Sequence, residues 1–175
     1  VVVKDNMDEA GVVSSAGCRA YDDRIPRDDA AVIQRLRAAG AVVVGRANMH
    51  ELADGVTSDN PHHGPVRNPW RPDHHPGGSS GGSAVVVAAG AVPAALGSDT
   101  GGSVRIPAAL CGVVGLKPSE GLVPTGGVVP LSTTLDHVGP LARTVEDVAA
   151  LLEVLAAAPA GRYAGACGRD PTGLR

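Results

Sequence analysis

GGSSGGSAVVVAAGAVPAALGSDTGGSVRIPAALCGVVGLKP, residues 77–118, is the stretch whose reading decides the fold. It holds two glycine-serine knots, GGSSGG at 77–82 and DTGGS at 99–103, joined by a small-residue apolar run from Ser83 to Leu96. Glycine permits positive φ and close approach of other groups. A serine between glycines is therefore presented on bare backbone. Two such serines point to hydroxyl chemistry or to an anion cradle. A Gly-Ser stretch is often a flexible linker, but a linker does not run straight into AVVVAAGAVPAAL, which has the small-residue packing of a buried element. Neither G-x-x-x-x-G-K-[ST] nor a strand followed by G-x-G-x-x-G is present, which argues against a phosphate loop. Nor does G-x-S-x-G surround either serine, so a nucleophile elbow is unsupported.

Working outward, the 175 residues have the length of one domain. The net charge of −3 gives no reason to expect direct nucleic-acid or anionic-membrane binding. Aromatic residues make up 2% and Phe is absent, so a core must be built from Ala, Val and Leu. Cys18, Cys111 and Cys167 have no metal-like spacing and read as reduced thiols of a cytoplasmic protein. The apolar runs are too short, and too broken by Gly and Pro, for a membrane span.

The periodicity predicts a helix over 28–39 with Val32, Ile33, Leu36 and Ala39 on one stripe and Gly40 as its stop. Buried strands are expected at Val1–Val3, Ala41–Val44, Ala94–Gly97 and Val113–Leu116. Further helices are expected over 81–91, Val104–Leu110 and 144–157. The last opens on a Thr144/Asp147 capping box, with Val145, Val148, Ala149, Leu152 and Leu155 buried. Strand, helix and strand imply a parallel arrangement. The fold class is therefore α/β: a mixed, largely parallel β-sheet covered by helices. His50-Glu51 lacks the second histidine of H-E-x-x-H, because position 54 is Asp, and the pairs His62-His63 and His74-His75 do not suit one tetrahedral site, so no metal is expected.

The 77–118 block resembles the amidase signature family, the Ser–cisSer–Lys amide hydrolases. VVVKDNMD at 1–8, GAVVVGRANMHELADG at 40–55, GPVRNPW at 64–70 and LDHVGPLARTVEDVA at 135–149 resemble further family segments in the same order. The likeness covers roughly residues 1–157, which read as a partial domain of that fold, with 158–175 a poorly matching tail. On composition alone Lys4 reads as a solvated strand end. The resemblance makes it the catalytic base, Ser79 the bridging serine behind a cis Gly78–Ser79 peptide, and Ser103 the nucleophile. It makes the backbone of Thr100, Gly101, Gly102 and Ser103 the oxyanion hole. Burial would keep Lys4 neutral. Asp5 and Asn6 are read as shaping the following turn, and Ser80 and Ser83 as helix N-caps. Gly78, Asp99 and Arg105 support the loops, the last two as an ion pair. GPVRNPW reads as a rigid turn near the site. A Ser-His-Asp set using Asp136 and His137 is disfavoured by their adjacency.

The resemblance implies an amidase acting on linear amides through an acyl-enzyme, with a small-molecule amide as partner and no cofactor; a homodimer is left open. Because Pro124-Thr125-Gly126-Gly127 lacks an aromatic, a stand-alone hydrolase is preferred. The alternative is the A subunit of a glutamyl-tRNA(Gln)/aspartyl-tRNA(Asn) amidotransferase, where the same triad releases ammonia from glutamine; a non-catalytic chain that keeps the fold is a further class. The opening on Val1-Val2-Val3-Lys4, the inside of a strand, reads as an internal piece of a longer enzyme. Alone, the 175 residues are expected to be inactive.

Overall fold

The computed structural model describes residues 1–170, 172 and 173. In chain order the elements are β1 (Val2–Lys4), α1 (Ala31–Ala38), β2 (Gly45–Ala47), β3 (Asp59–Asn60), β4 (Gly64–Pro65), α2 (Gly81–Ala88), β5 (Ala94–Asp99), α3 (Arg105–Cys111), β6 (Val114–Gly115), β7 (His137–Ala142) and α4 (Val145–Leu155). The main sheet has the order β2-β1-β5-β7-β6, and β3 and β4 form a separate antiparallel pair. β1 runs parallel to β2 and β5, while β7 runs antiparallel to β5 and β6. The sheet is mixed and covered by helices, with its parallel part confined to β2-β1-β5.

Side chains alternate across a strand, and the core splits accordingly. Val3, Leu96 and Val138 meet Val32, Ile33 and Leu36 of α1 and Leu152 and Leu155 of α4. On the other face Val2 and Ala95 meet Val87 of α2, and Leu141 meets Ala84 of α2 and Ala108 and Cys111 of α3. Small residues bring α2 close to the sheet: the Ser83 hydroxyl donates to the Leu96 carbonyl at 2.8 Å. Among the described residues no helix is long and apolar enough to cross a membrane, and Cys18, Cys111 and Cys167 are free thiols.

Several boundaries differ from expectation. No strand forms over Ala41–Val44. Pairing with β1 begins at Gly45, and Val42 and Val44 are 70% and 63% exposed. The apolar run is the approach to the strand, with Ala41 and Val43 packed on the core. β7 was not foreseen, because Gly139 and Pro140 interrupt it and proline weakens a strand reading. Its tolerance is geometric. The Pro140 carbonyl faces β6 and accepts from Leu116 N–H at 3.1 Å. The nitrogen of a strand residue points to the same side as its carbonyl, so no ladder bond to β5 is lost. A Cβ on Gly139 would strike the Leu116 carbonyl at 2.1 Å, so only glycine allows that approach. Thr144 caps α4, its side chain accepting from Asp147 N–H at 3.1 Å, but Val145 is exposed rather than part of the buried stripe. Beyond α4 the chain folds back: the Glu153 carboxylate accepts from the N–H groups of Gly161, Tyr163 and Ala164, and Tyr163 packs on the core. This stretch of 158–175 is thus tied to the domain; the tail's Pro171, Leu174 and Arg175 lie outside the described residues.

Candidate active site

Parallel pairing of β1 with β5 brings their C-terminal ends to one edge of the sheet. Lys4 ends β1, and Ser98 and Asp99 end β5. The GGSSGG knot leads into α2, and the DTGGS knot leads from β5 into α3. The knots are joined by a backbone bond, Ser80 N–H to the Ser103 carbonyl, at 3.1 Å.

Lys4 is fully buried. Its ammonium nitrogen lies 2.7 Å from Ser79 Oγ and 2.8 Å from Ser98 Oγ. Burial lowers its pKa from 10.5 to about 7, against the opposing pull of the Asp99 and Asp136 carboxylates. A lysine so placed exchanges a proton readily near neutrality.

Ser79 is held from several sides. The Gly78–Ser79 peptide is cis. The Ser79 carbonyl accepts from His50 N–H at 3.1 Å and from the Ser58 hydroxyl at 3.3 Å. Ser58 Oγ in turn accepts from Gly81 N–H at 3.0 Å. A side chain at Gly78 would collide with the backbone of Val56, Thr57 and Ser58 at under 3 Å, so this loop fits only a glycine. Ser80 and Ser83 do not cap α2. Their hydroxyls donate to the Ser98 and Leu96 carbonyls, because the helix start is pressed against β5 where those carbonyls are in reach.

In the second knot Asp99 is completely buried and binds Arg105 bidentately, at 3.0 and 2.9 Å, as expected of a loop-holding ion pair. Its carboxylate also accepts from the N–H groups of Gly102, Val104 and Arg105. Burial pushes its pKa up, but the Arg105 guanidinium and these N–H groups outweigh that and hold it below the usual range. One correction follows for the expected oxyanion hole. Gly102 N–H is taken by Asp99 at 2.9 Å, which leaves Thr100, Gly101 and Ser103 with N–H groups that have no acceptor among the described residues.

Ser103 is 7% exposed. Its hydroxyl makes no hydrogen bond among the described residues, so of the two contacts expected of Ser79, that to Lys4 is formed and that to Ser103 is not. One rotation about χ1 re-aims a serine hydroxyl, and such contacts often tighten only with substrate bound.

Sequence reasoning missed Ser98, Asn6, Ser58 and the role of Asp136. Ser98 is the one hydroxyl within the buried strand Ala94–Asp99, which was its available signal. Asn6 does more than shape a turn: Nδ2 donates to Ser98 Oγ at 3.1 Å. Asp136 receives the Thr100 hydroxyl and the N–H groups of Leu131 and Ser132, which fastens the 131–136 loop to the second knot. His137 Nδ1 instead meets the Leu135 carbonyl at 2.7 Å, so Asp136 and His137 do not form an acid–base pair. GPVRNPW clamps the far end of α3, through Asn68 to the Leu110 carbonyl and Trp70 to the Cys111 carbonyl, a helix length away from Ser103.

The Amidase family model matches residues 1–165. The A subunit of the glutamyl-tRNA(Gln) amidotransferase of Methanosarcina barkeri (strain Fusaro / DSM 804) is 53% identical over 156 residues, 89% of this chain and 33% of that protein. The crystal structure of the corresponding A subunit from Thermotoga maritima superposes with a TM-score of 0.86 at 48% identity, covering 88% of this chain and 34% of that one. A crystal structure described as an amidase gives 0.86 at 50% identity, covering 90% and 36%. The chain spans about a third of the length of the curated relatives it matches. A family match over nearly every residue, on a fold that sets Lys4 against Ser79 beside the Ser103 loop, means that this chain belongs to the amidase family.

Proposed function

We propose that the protein containing this chain breaks the C–N bond of a carboxamide through an acyl-enzyme on Ser103, with Ser79 carrying the proton and Lys4 as the base. The observation that carries this reading is the 2.7 Å contact between the buried Lys4 nitrogen and Ser79 Oγ. Neutral Lys4 takes the Ser79 proton as Ser79 takes that of Ser103, and Ser103 Oγ attacks the carbonyl carbon. The oxygen that becomes negative is received by the unpaired N–H groups of the Thr100–Ser103 loop. The C–N bond then breaks as the proton returns through Ser79 to the leaving nitrogen. Water, activated by the same pair, hydrolyses the ester and restores Ser103.

For the substrate, the relatives named as A subunits of glutamyl-tRNA(Gln) amidotransferases favour the side-chain amide of glutamine, with the ammonia used by partner subunits to amidate a charged tRNA. This reverses the order suggested by Pro124-Thr125-Gly126-Gly127. A stand-alone hydrolase of linear amides is the second reading, supported by that segment and by the 50% identical amidase structure. The test is ammonia release from glutamine by the full-length protein, alone and with partner subunits and glutamyl-tRNA(Gln). Glutaminase activity that rises with both supports the first reading. Rapid hydrolysis of simple amides without glutaminase supports the second, and neither activity, with Ser103 unlabelled by a fluorophosphonate, refutes the chemistry.

A further inference from the structure

Ser98 is the second hydroxyl on the Lys4 nitrogen, and Asn6 contacts Ser98. Ser98 Oγ contacts the Lys4 nitrogen at 2.8 Å and the Asn6 amide at 3.1 Å, and Asn6 is 1% exposed. Asn6 Oδ1 is buried with no hydrogen-bond partner among the described residues. With Lys4 and Asn6 Nδ2 both donating to Ser98 Oγ, the Ser98 hydroxyl hydrogen has no acceptor among the described residues either. One half-turn of the Asn6 amide pairs these two orphans and places Nδ2 where Oδ1 stood, since amide O and N are nearly isosteric. Ser98 O–H then donates to Asn6 Oδ1.

The direction of that bond matters because neutral lysine has a single lone pair. With Ser98 donating to Asn6, Ser98 Oγ accepts a Lys4 N–H and the Lys4 lone pair is left for the Ser79 hydroxyl. With Asn6 donating to Ser98, the Ser98 hydrogen turns to the Lys4 lone pair and Lys4 donates to Ser79, which is the wrong polarity for a base. We propose that Asn6 is a positioning residue: acting through Ser98, its side-chain oxygen turns the lone pair of Lys4 toward Ser79. This rests on the proposed role of Lys4 as base. The charges that face Lys4 are Asp99, itself paired with Arg105, and Asp136; Arg46 on the neighbouring β2 is engaged by Asp5 and Glu9.

The test is a cycle of variants in the full-length protein, read as the rate of Ser103 phosphonylation by a fluorophosphonate across pH. Asn6→Leu removes the acceptor and should slow labelling on the order of tenfold, the worth of one hydrogen bond. Ser98→Ala added to it removes the competing hydroxyl and should restore most of that loss, which a purely structural defect would not allow. Asn6→Asp keeps an acceptor and its shape, and its carboxylate favours the ammonium, so the acid limb of the profile should move up by about one unit. Asn6→Leu within twofold of the unchanged protein, losses that simply multiply in the double variant, or an unmoved limb in a folded Asn6→Asp would each overturn the proposal. A Lys4→Ala protein that labels at the normal rate would sink the base assignment itself, and this inference with it.

Discussion

The two glycine-serine knots meet at one edge of the sheet but are built differently. In GGSSGG the serines are fully buried and every anchoring group has a partner: the Ser79 hydroxyl meets Lys4, its carbonyl meets His50 and Ser58, and the Ser80 hydroxyl reaches Ser98. In DTGGS, Gly101 is exposed and the Ser103 hydroxyl is unpartnered among the described residues, while Asp99 binds the loop from beneath. A proton carrier gains from burial, because desolvation lowers the lysine's pKa to about 7. A nucleophile and its oxyanion donors must stay reachable by a substrate. In the proposed mechanism, two motifs of similar composition divide the work: the fully buried one carries the proton, and the one with unpaired N–H groups receives the substrate.

The largest effect should come from the open knot. Ser103→Ala should reduce amide turnover by on the order of 10⁴-fold or more, since the members of such a unit act together. Lys4→Ala should cost about 10²–10⁴-fold, the range of general base catalysis, with little change in KM. If it left turnover near normal at neutral pH, the buried knot would not be the proton machinery.

A change of pH separates the two regions further. Lys4 sits at about 7 in the fold against 10.5 for the free side chain, so kcat/KM should rise as pH passes through about 7. Between those values the unfolded chain binds the extra proton, so stability should rise with pH across the same window. Asp99→Asn in the open knot should move the acid limb down, because an anion that raises the Lys4 pKa is removed. It should also cost about 1–2 kcal/mol by denaturant titration, a charge-assisted pair discounted for the exposed Arg105. An unmoved limb would show that Asp99 serves the loop alone.

The smallest change lies outside both knots. Thr144→Ala should lose about 1 kcal/mol through the α4 cap, with activity unaltered below the transition. A changed pH profile in this variant would mean that the site is not insulated from α4.

What was legible in the sequence follows the same division. Composition marked only the two glycine-serine knots; Lys4, Ser79 and Ser103 were singled out because their segments resemble those of the amidase signature family, and Lys4 by itself reads as a solvated strand end. Asp99 with Arg105 was readable because the pair is local. Ser98 and Asn6 were not, since their meaning depends on β1 lying beside β5, a contact across 92 residues of chain. The strand at Gly45–Ala47 was displaced to the apolar run before it because composition marks hydrophobic residues, whereas pairing is set by register. β7 was hidden by a proline whose side of the strand only the assembled sheet reveals.

Whether Lys4, Ser79 and Ser103 act as one site is tested most directly by the pH dependence of Ser103 phosphonylation in the full-length protein. The expected profile has a single ionisation near pH 7 that disappears in Lys4→Ala, with the label on Ser103 by peptide mass. Labelling on another residue, or a profile that Lys4→Ala leaves unchanged, would contradict it.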